Sequence, residues 1–511
     1  MSQVNAIATG ERSAAHHTAG KSTGLRVIVL VLMAAPFITA MFAPPSRLPA
    51  LPRALAFTLW VASLAPAWTY LGKPLHRRPP LPFMPLIGLL YGLNFALQLA
   101  LGQVNVFYRI GLDQMSPLDP RHDYTAPITL ALVGWLILLG VYTLIARRNV
   151  SPTAFVNPPR SAPALRRRLV RSALMLLYCT VVLEPLRVLG VPLVLHGILV
   201  FMQMLGLFAL GLLIVMQLQG VLPKRAKLML YAGLAAMVVG RLATGQISGL
   251  ALLAVTVLEA YWLAKGSVGW RAIVGVLVVG VAIVTLRGLA VQFRAVVWFG
   301  GTNYTLGQRL TVLHDVAQDR VASDGVWGTI TDGATLVAGR SAYADIFADV
   351  YRLTPRYIKY WNGGTYVALI GVAIPRALWP SKPVSSVGQM FGHRYNYIGD
   401  FDFGTSVNLP YLLEFFVNFG PMGVLFGMAA IGSIYAFLER VVNRPGQPPE
   451  LSMAGAALLL PLLNIESDFA VTFGGLLMNG VALWLVYRQL VRVPRPKAVV
   501  AVHNTVLGAA T

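Results

Sequence analysis

The stretch "PLVLHGILVFMQMLGLFALGLLIVMQL", residues 192–218, decides the class of fold. It contains no Asp, Glu, Lys or Arg. A helix needs about 20 apolar residues to cross a bilayer, and this run is long enough. Its apolar residues are continuous rather than alternating, which selects a helix over a barrel strand.

Working outward, eleven more runs of this kind are found, at roughly 25–43, 52–72, 82–101, 126–146, 169–186, 226–243, 247–264, 270–287, 409–438, 451–465 and 469–490. The run at 169–186 is interrupted by Glu184, and the one at 451–465 is short. Composition agrees with this reading. Mean hydropathy is +0.66, and charged residues make up 12% of the 511. A soluble chain would carry about 25%. The expected fold is therefore all-α and polytopic, with about 12 transmembrane helices.

The net charge of +22 could suggest nucleic acid, but its distribution points to membrane topology instead. With the N-terminus placed in the cytoplasm, the inner segments hold 24 Lys/Arg and 3 Asp/Glu. The outer segments hold 17 and 15. The densest basic segment, Arg147 to Arg171, falls inside, with "KPLHRRPP" (73–80) and "LPKRAKL" (222–228). This is positive-inside asymmetry, and an even number of spans leaves both termini cytoplasmic. The expected organisation is a disordered tail over 1–24, spans 1–9 over 25–287, a large periplasmic loop over 288–408, spans 10–12 over 409–490, and a tail over 491–511. The run 25–43 reads as an uncleaved first span rather than a signal peptide. Cys179 is the only cysteine, so an intrachain disulfide or a cysteine metal cluster is excluded.

The long loop is not disordered by composition. Leu306, Leu310, Leu313 and Ala317 recur at helical spacing. Tyr343, Phe347, Val350 and Tyr351 form a second stripe, with Asp345 and Asp349 expected on the opposite face. "GGTNYTLG", "SDGVWG" and "YWNGGTY" read as turns. The loop also carries arginines where acid is sparse: "RGLAVQFR" (287–294) with Arg287 and Arg294, "AGRSAY" (338–343) with Arg340, and "GVAIPRALWPSKP" (371–383) with Arg376, Trp379 and Lys382. These cations run against the topology bias. Arginine's planar fork suits phosphate oxygens, and lysine adds a point charge, so a pyrophosphate at the membrane surface is a natural ligand. The same residues at a membrane edge also snorkel and anchor.

Two further residues could do acid–base work. His393 lies in "FGHRYNY", between aromatics. Glu414 lies in "LLEFFVNFG", a carboxylate at the entrance of an apolar helix, where charge is expensive. There is no H-E-x-x-H, no Walker loop and no dinucleotide glycine motif, so neither a metal nor a cofactor is expected.

The ordered series "GRSAYADIF" (339–347), "YWNGGTY" (360–366), "IPRALWPSKP" (374–383), "MFGHRY" (390–395) and "LLEFFVNFGPMGVLFGM" (412–428) resembles the Wzy-type O-antigen and exopolysaccharide repeat-unit polymerases. The resemblance covers roughly ninety residues; the earlier spans contribute only hydropathy. It implies a GT-C-like fold in the bacterial inner membrane and a periplasmic active site. The implied reaction moves a glycan from undecaprenyl pyrophosphate to the non-reducing end of a lipid-linked repeat unit. Implied partners are undecaprenyl-pyrophosphate-linked oligosaccharides, the lipid bilayer, a chain-length-determining co-polymerase and a flippase, with no nucleic acid. On this resemblance Arg376, Lys382 and Arg340 bind pyrophosphate, with Arg287 or Arg294 assisting. Glu414 or His393 serves as base or orients the acceptor, and Trp379 stacks on sugar or anchors the loop. An O-antigen ligase is the nearest alternative, since it shares the frame and the lipid-linked donor. A lipid-linked oligosaccharide flippase or other transporter would favour paired charges at mid-membrane, whereas these collect at the rim.

Overall fold

The computed structural model describes residues 24–39, 48–74, 77–101, 123–147, 163–183, 193–245, 247–265, 270–299, 304–340, 343–367, 386–402 and 404–491, together with 369, 371 and 379. The described residues are 84% helix and include no strand. The helices are α1 (Gly24–Thr39), α2 (Ala50–Gly72), α3 (Phe83–Phe95), α4 (Leu97–Leu101), α5 (Thr125–Arg147), α6 (Pro163–Leu183), α7 (Leu193–Leu218), α8 (Lys224–Thr244) and α9 (Ile247–Lys265). They continue with α10 (Trp270–Phe299), α11 (Leu306–Arg340), α12 (Tyr343–Leu353), α13 (Val387–Arg394), α14 (Tyr411–Val442), α15 (Pro449–Leu459), α16 (Phe469–Phe473) and α17 (Leu476–Val491). Prolines open several of them, since an initial helical residue has no intrahelical use for its N–H: Pro49, Pro82, Pro223 and Pro410 stand at the starts of α2, α3, α8 and α14.

Every expected span overlaps a described helix, and eight stretches are long and apolar enough to cross a membrane. They are Ala50–Gly72, Thr125–Ala146, Ile198–Leu218, Lys224–Thr244, Ile247–Lys265, Val274–Trp298, Tyr411–Val442 and Phe469–Leu490. The expected spans at 25–43, 82–101 and 451–465 fall on shorter apolar helices. The one at 169–186 falls on α6, whose first half carries Arg166, Arg167, Arg168 and Arg171.

Close packing rests on small residues, which let backbones approach where hydrophobicity alone gives no preference for protein over lipid. Gly88 of α3 lies against the Ser63 carbonyl of α2. A Cβ at Gly432 of α14 would come within 2.5 Å of the Leu138 carbonyl of α5. Buried polar groups are paired across the same contacts. Trp135 Nε1 donates to the Ala62 carbonyl at 3.0 Å, and the Tyr91 hydroxyl to the Ala131 carbonyl at 2.8 Å. At the far end of α14, Glu439 accepts from the Tyr142 hydroxyl and from Asn443 Nδ2. Asn443 also holds both backbone groups of Leu81, at 2.9 and 2.8 Å.

Two boundaries differ from expectation. The run ending at 287 continues as helix α10 to Phe299, so Arg287 and Arg294 lie on a helix rather than in a loop. Arginine stems reach along a helix toward water, so an arginine need not end one. The tenth span is a helix broken at Gly420 (φ 65, ψ −154), followed by Pro421, which has no amide to donate.

Candidate functional site

The first nine residues of α14, before the Gly420 break, form the floor of the site. Phe416 fixes one side of it. Tyr351 stacks on its ring at 5.3 Å, and Phe347 and Tyr360 meet it edge-on at 5.5 and 6.4 Å. This apolar stripe of α12 is the one legible in the sequence. The two aspartates of α12 are also held. Asp345 is buried and accepts the Tyr124 hydroxyl at 2.7 Å, while Asp349 accepts from Tyr397 at 3.1 Å and pairs with Arg352. Each aspartate turned inward therefore has a donor, as burial requires.

Across this floor lies the turn "YWNGGTY" (360–366). Its left-handed residues, Asn362 (φ 49) and Gly363 (φ 85), let the chain curl back on α14. The Trp361 amide donates to the Val417 carbonyl at 3.0 Å, and the Asn362 amide to the Asn418 carbonyl at 3.3 Å. Asn418, fully buried, does most of the joining. Its Nδ2 donates to Thr365 Oγ1 and to the Glu414 carbonyl, both at 2.8 Å, and its Oδ1 accepts the Gly363 amide at 2.9 Å. Arg394 closes the edge by donating to the Lys359 carbonyl at 2.8 Å, with its guanidinium 5.1 Å from the Trp361 ring centroid.

Glu414 sits one turn before Asn418 and is 0% exposed. Its Oε2 accepts the Phe469 amide at 2.5 Å, next to the start of α16. Its Oε1 has no partner of ordinary hydrogen-bond geometry, and the Thr365 side chain is the polar group beside it. Tyr366 covers this carboxyl. Its ring stacks on Phe419 at 6.1 Å and meets Phe469 edge-on at 6.1 Å. Burial, together with the charge of Glu414, pushes the Tyr366 phenol well above its ordinary range. Asp468 caps α16 by accepting the Val471 amide at 2.9 Å, and burial pushes its carboxyl up.

The remaining sequence candidates are dispersed. His393 ends α13 half-buried, close enough to Asp402 to lower that carboxyl, although the Thr405 hydrogen bonds lower it more. No described contact joins His393 to Glu414. Arg294 has a partner of its own. It donates to the Gly245 carbonyl through Nη2 at 2.6 Å and Nε at 3.1 Å, capping α8 at its left-handed end. Arg287 is half-buried on the same helix, two turns away. Trp379 is exposed. Arg376 and Lys382 lie outside the described residues, and Arg340 is described only as the last residue of α11. No group of metal-ligating side chains occurs among the described residues.

Two groups that sequence reasoning passed over belong to this site, Tyr366 as its cover and Phe469 as the partner of Glu414; Asn418 is its joint. The i, i+4 spacing of Glu414 and Asn418 was the available signal, because it puts both on one helical face. Compared with known proteins, the chain matches no family model, no curated protein and no solved structure.

Proposed function

We propose that this chain is an inner-membrane polysaccharide polymerase of the Wzy type, with about twelve spans in a GT-C-like arrangement, both termini cytoplasmic and the site on the periplasmic face. The observation that carries this reading is the convergence of two separate motifs, "YWNGGTY" and "LLEFFVNFG", on one buried carboxylate. An unmatched carboxylate oxygen in an apolar setting costs several kcal/mol or so, which favours retention for chemistry over packing.

In this reading the donor is a glycan on undecaprenyl pyrophosphate. The acceptor hydroxyl oxygen forms a bond to the donor's anomeric carbon, and the bond from that carbon to the pyrophosphate oxygen breaks. Glu414 takes the acceptor's proton once the Tyr366 ring has moved aside, and undecaprenyl pyrophosphate leaves. Arg376, Lys382 and Arg340 stabilise the charge on the leaving group; one such donor contributes about 3 kcal/mol. Trp379 packs on sugar, and His393 orients the acceptor. Arg294, tied to Gly245, serves the frame rather than the pyrophosphate.

The test is genetic and biochemical. Cells lacking the protein should carry single repeat units, and Arg376→Ala and Glu414→Gln should each fail to restore polymer at wild-type protein level. Complete loss of transfer to the final acceptor would identify a ligase instead. Normal polymer in both variants would reject the site.

A further inference from the structure

We propose that the tip of α11, "GVWG" at residues 325–328, docks into the lipid interface at the Trp298 end of the α10 span. The first observation is a sharp fold in α11. Gly325 leaves the helical region (φ 68, ψ 171). Arg320 Nη2 then reaches Asp332 Oδ2 at 3.3 Å. In an unbroken helix those residues would stand ~18 Å apart along the axis, beyond the joint reach of the two side chains. α11 is therefore sharply bent at Gly325, and residues 325–328 form the apex of the bend.

The apex is apolar and open. Trp327 is 76% exposed and Val326 62%, and Val321 one turn before the bend is exposed too. No residue from 325 to 328 is charged. The flanking acids Asp324 and Asp332 both pair with Arg320, so one of the two negative charges nearest the tip is balanced in place.

The packing of α11 sets the height of this apex. Gly333 lies against the Val284 carbonyl of α10, and Gly288 fits between Thr329 and Gly333. The two helices run antiparallel where they touch. Stepping back from Gly333 to Trp327 moves about 9 Å toward the Trp298 end of α10. That end has the marks of a membrane boundary. Val274–Trp298 is a candidate span, Trp298 is 47% exposed, and the Arg294 guanidinium lies 4.8 Å from its ring centroid. Arg and Trp together favour the headgroup level, where an indole finds both an apolar and a wet side. Trp327 thus stands about 9 Å short of Trp298 along the axis of α10, on the outer part of the span. A lipid interface supplies what the exposed indole and valine need, and it is continuous with the lipid-facing surface of the span.

The test uses full-length protein in vesicles of zwitterionic and anionic phospholipid, and does not depend on the proposed enzymatic activity. In a Cys179→Ser background, Val326→Cys carries an environment-sensitive fluorophore and leaves Trp327 in place. Doxyl-labelled lipid should quench the probe more strongly than aqueous iodide. The reverse order would overturn the proposal and point to a protein partner or to solvent. A Val326→Cys, Trp327→Asp double variant should move the probe toward iodide, and quenching unchanged from the single variant would count against the indole as the anchor.

Discussion

Asn418→Ala is the most informative single change. The side chain is fully buried and joins Thr365, Gly363 and the Glu414 carbonyl. Alanine leaves the buried Thr365 hydroxyl and the Gly363 amide without their partner. Each orphaned group costs about 1–3 kcal/mol. Part of this is recovered by water at the half-exposed turn, so the net loss is about 2–4 kcal/mol. It falls on the opening of residues 360–366 more than on the whole fold, because the aromatic contacts to Phe416 remain. Tenfold in an equilibrium corresponds to ~1.4 kcal/mol, so the opening constant should rise roughly 30- to 700-fold. Hydrogen exchange on the protein in lipid nanodiscs reads this directly, as lost protection at the Asn362 and Gly364 amides, both bonded at present. Asn418→Asp keeps the acceptor for Gly363 but loses the donors, so it should protect Gly363 while freeing Thr365. Exchange at 360–366 in Asn418→Ala within about threefold of wild type would refute the role of Asn418 as the joint.

Other expectations follow from the same geometry. Gly420→Ala places a side chain at φ 65, with its Cβ 2.7 Å from the Tyr360 hydroxyl, and should cost about 1–3 kcal/mol, read as a lower Tm in detergent. Adding Tyr360→Phe should recover only part, since the backbone strain stays; an unchanged Tm in Gly420→Ala would count against the break. Arg294→Ala removes two hydrogen bonds to the Gly245 carbonyl and should lower stability by about 1.5–3 kcal/mol. Polymer formed per folded molecule should be unchanged, and a selective loss of turnover would return Arg294 to the substrate. Burial raises the Asp468 carboxyl above its ordinary 3.8, so the folded state holds its proton longer than the unfolded state does. Stability should therefore fall as pH rises from ~4 through the raised value, and Asp468→Asn should flatten that slope in thermal melts. A wild-type slope of the opposite sign, lost in the variant, would show that the cap outweighs the burial.

The membrane helices were legible because a long apolar run has few other ways to satisfy its backbone in lipid. The turn at 360–366 was legible from its Asn and Gly pair, and the apolar stripe of α12 from its spacing. The continuation of α10 was hidden by Arg287 and Arg294, which look like the end of a span but lie on a helix packed against α11. The break inside α14 was hidden by hydropathy, which is continuous across Gly420 and Pro421. Burial of Asp345 depended on Tyr124, more than two hundred residues away, which no local pattern reveals. The site itself is of that kind. Glu414 was marked by its cost in an apolar helix, but the turn that covers it and the Phe469 amide that binds it come from separate segments.

The central claim is that Glu414 and the turn above it carry glycan transfer. The most direct measurement is purified protein in lipid vesicles, supplied with undecaprenyl-pyrophosphate-linked repeat units alone. Wild type should yield a ladder of longer lipid-linked glycans with release of undecaprenyl pyrophosphate, and Glu414→Gln should yield neither while remaining folded. Unaltered substrate with wild type, or a full ladder with Glu414→Gln, would contradict it.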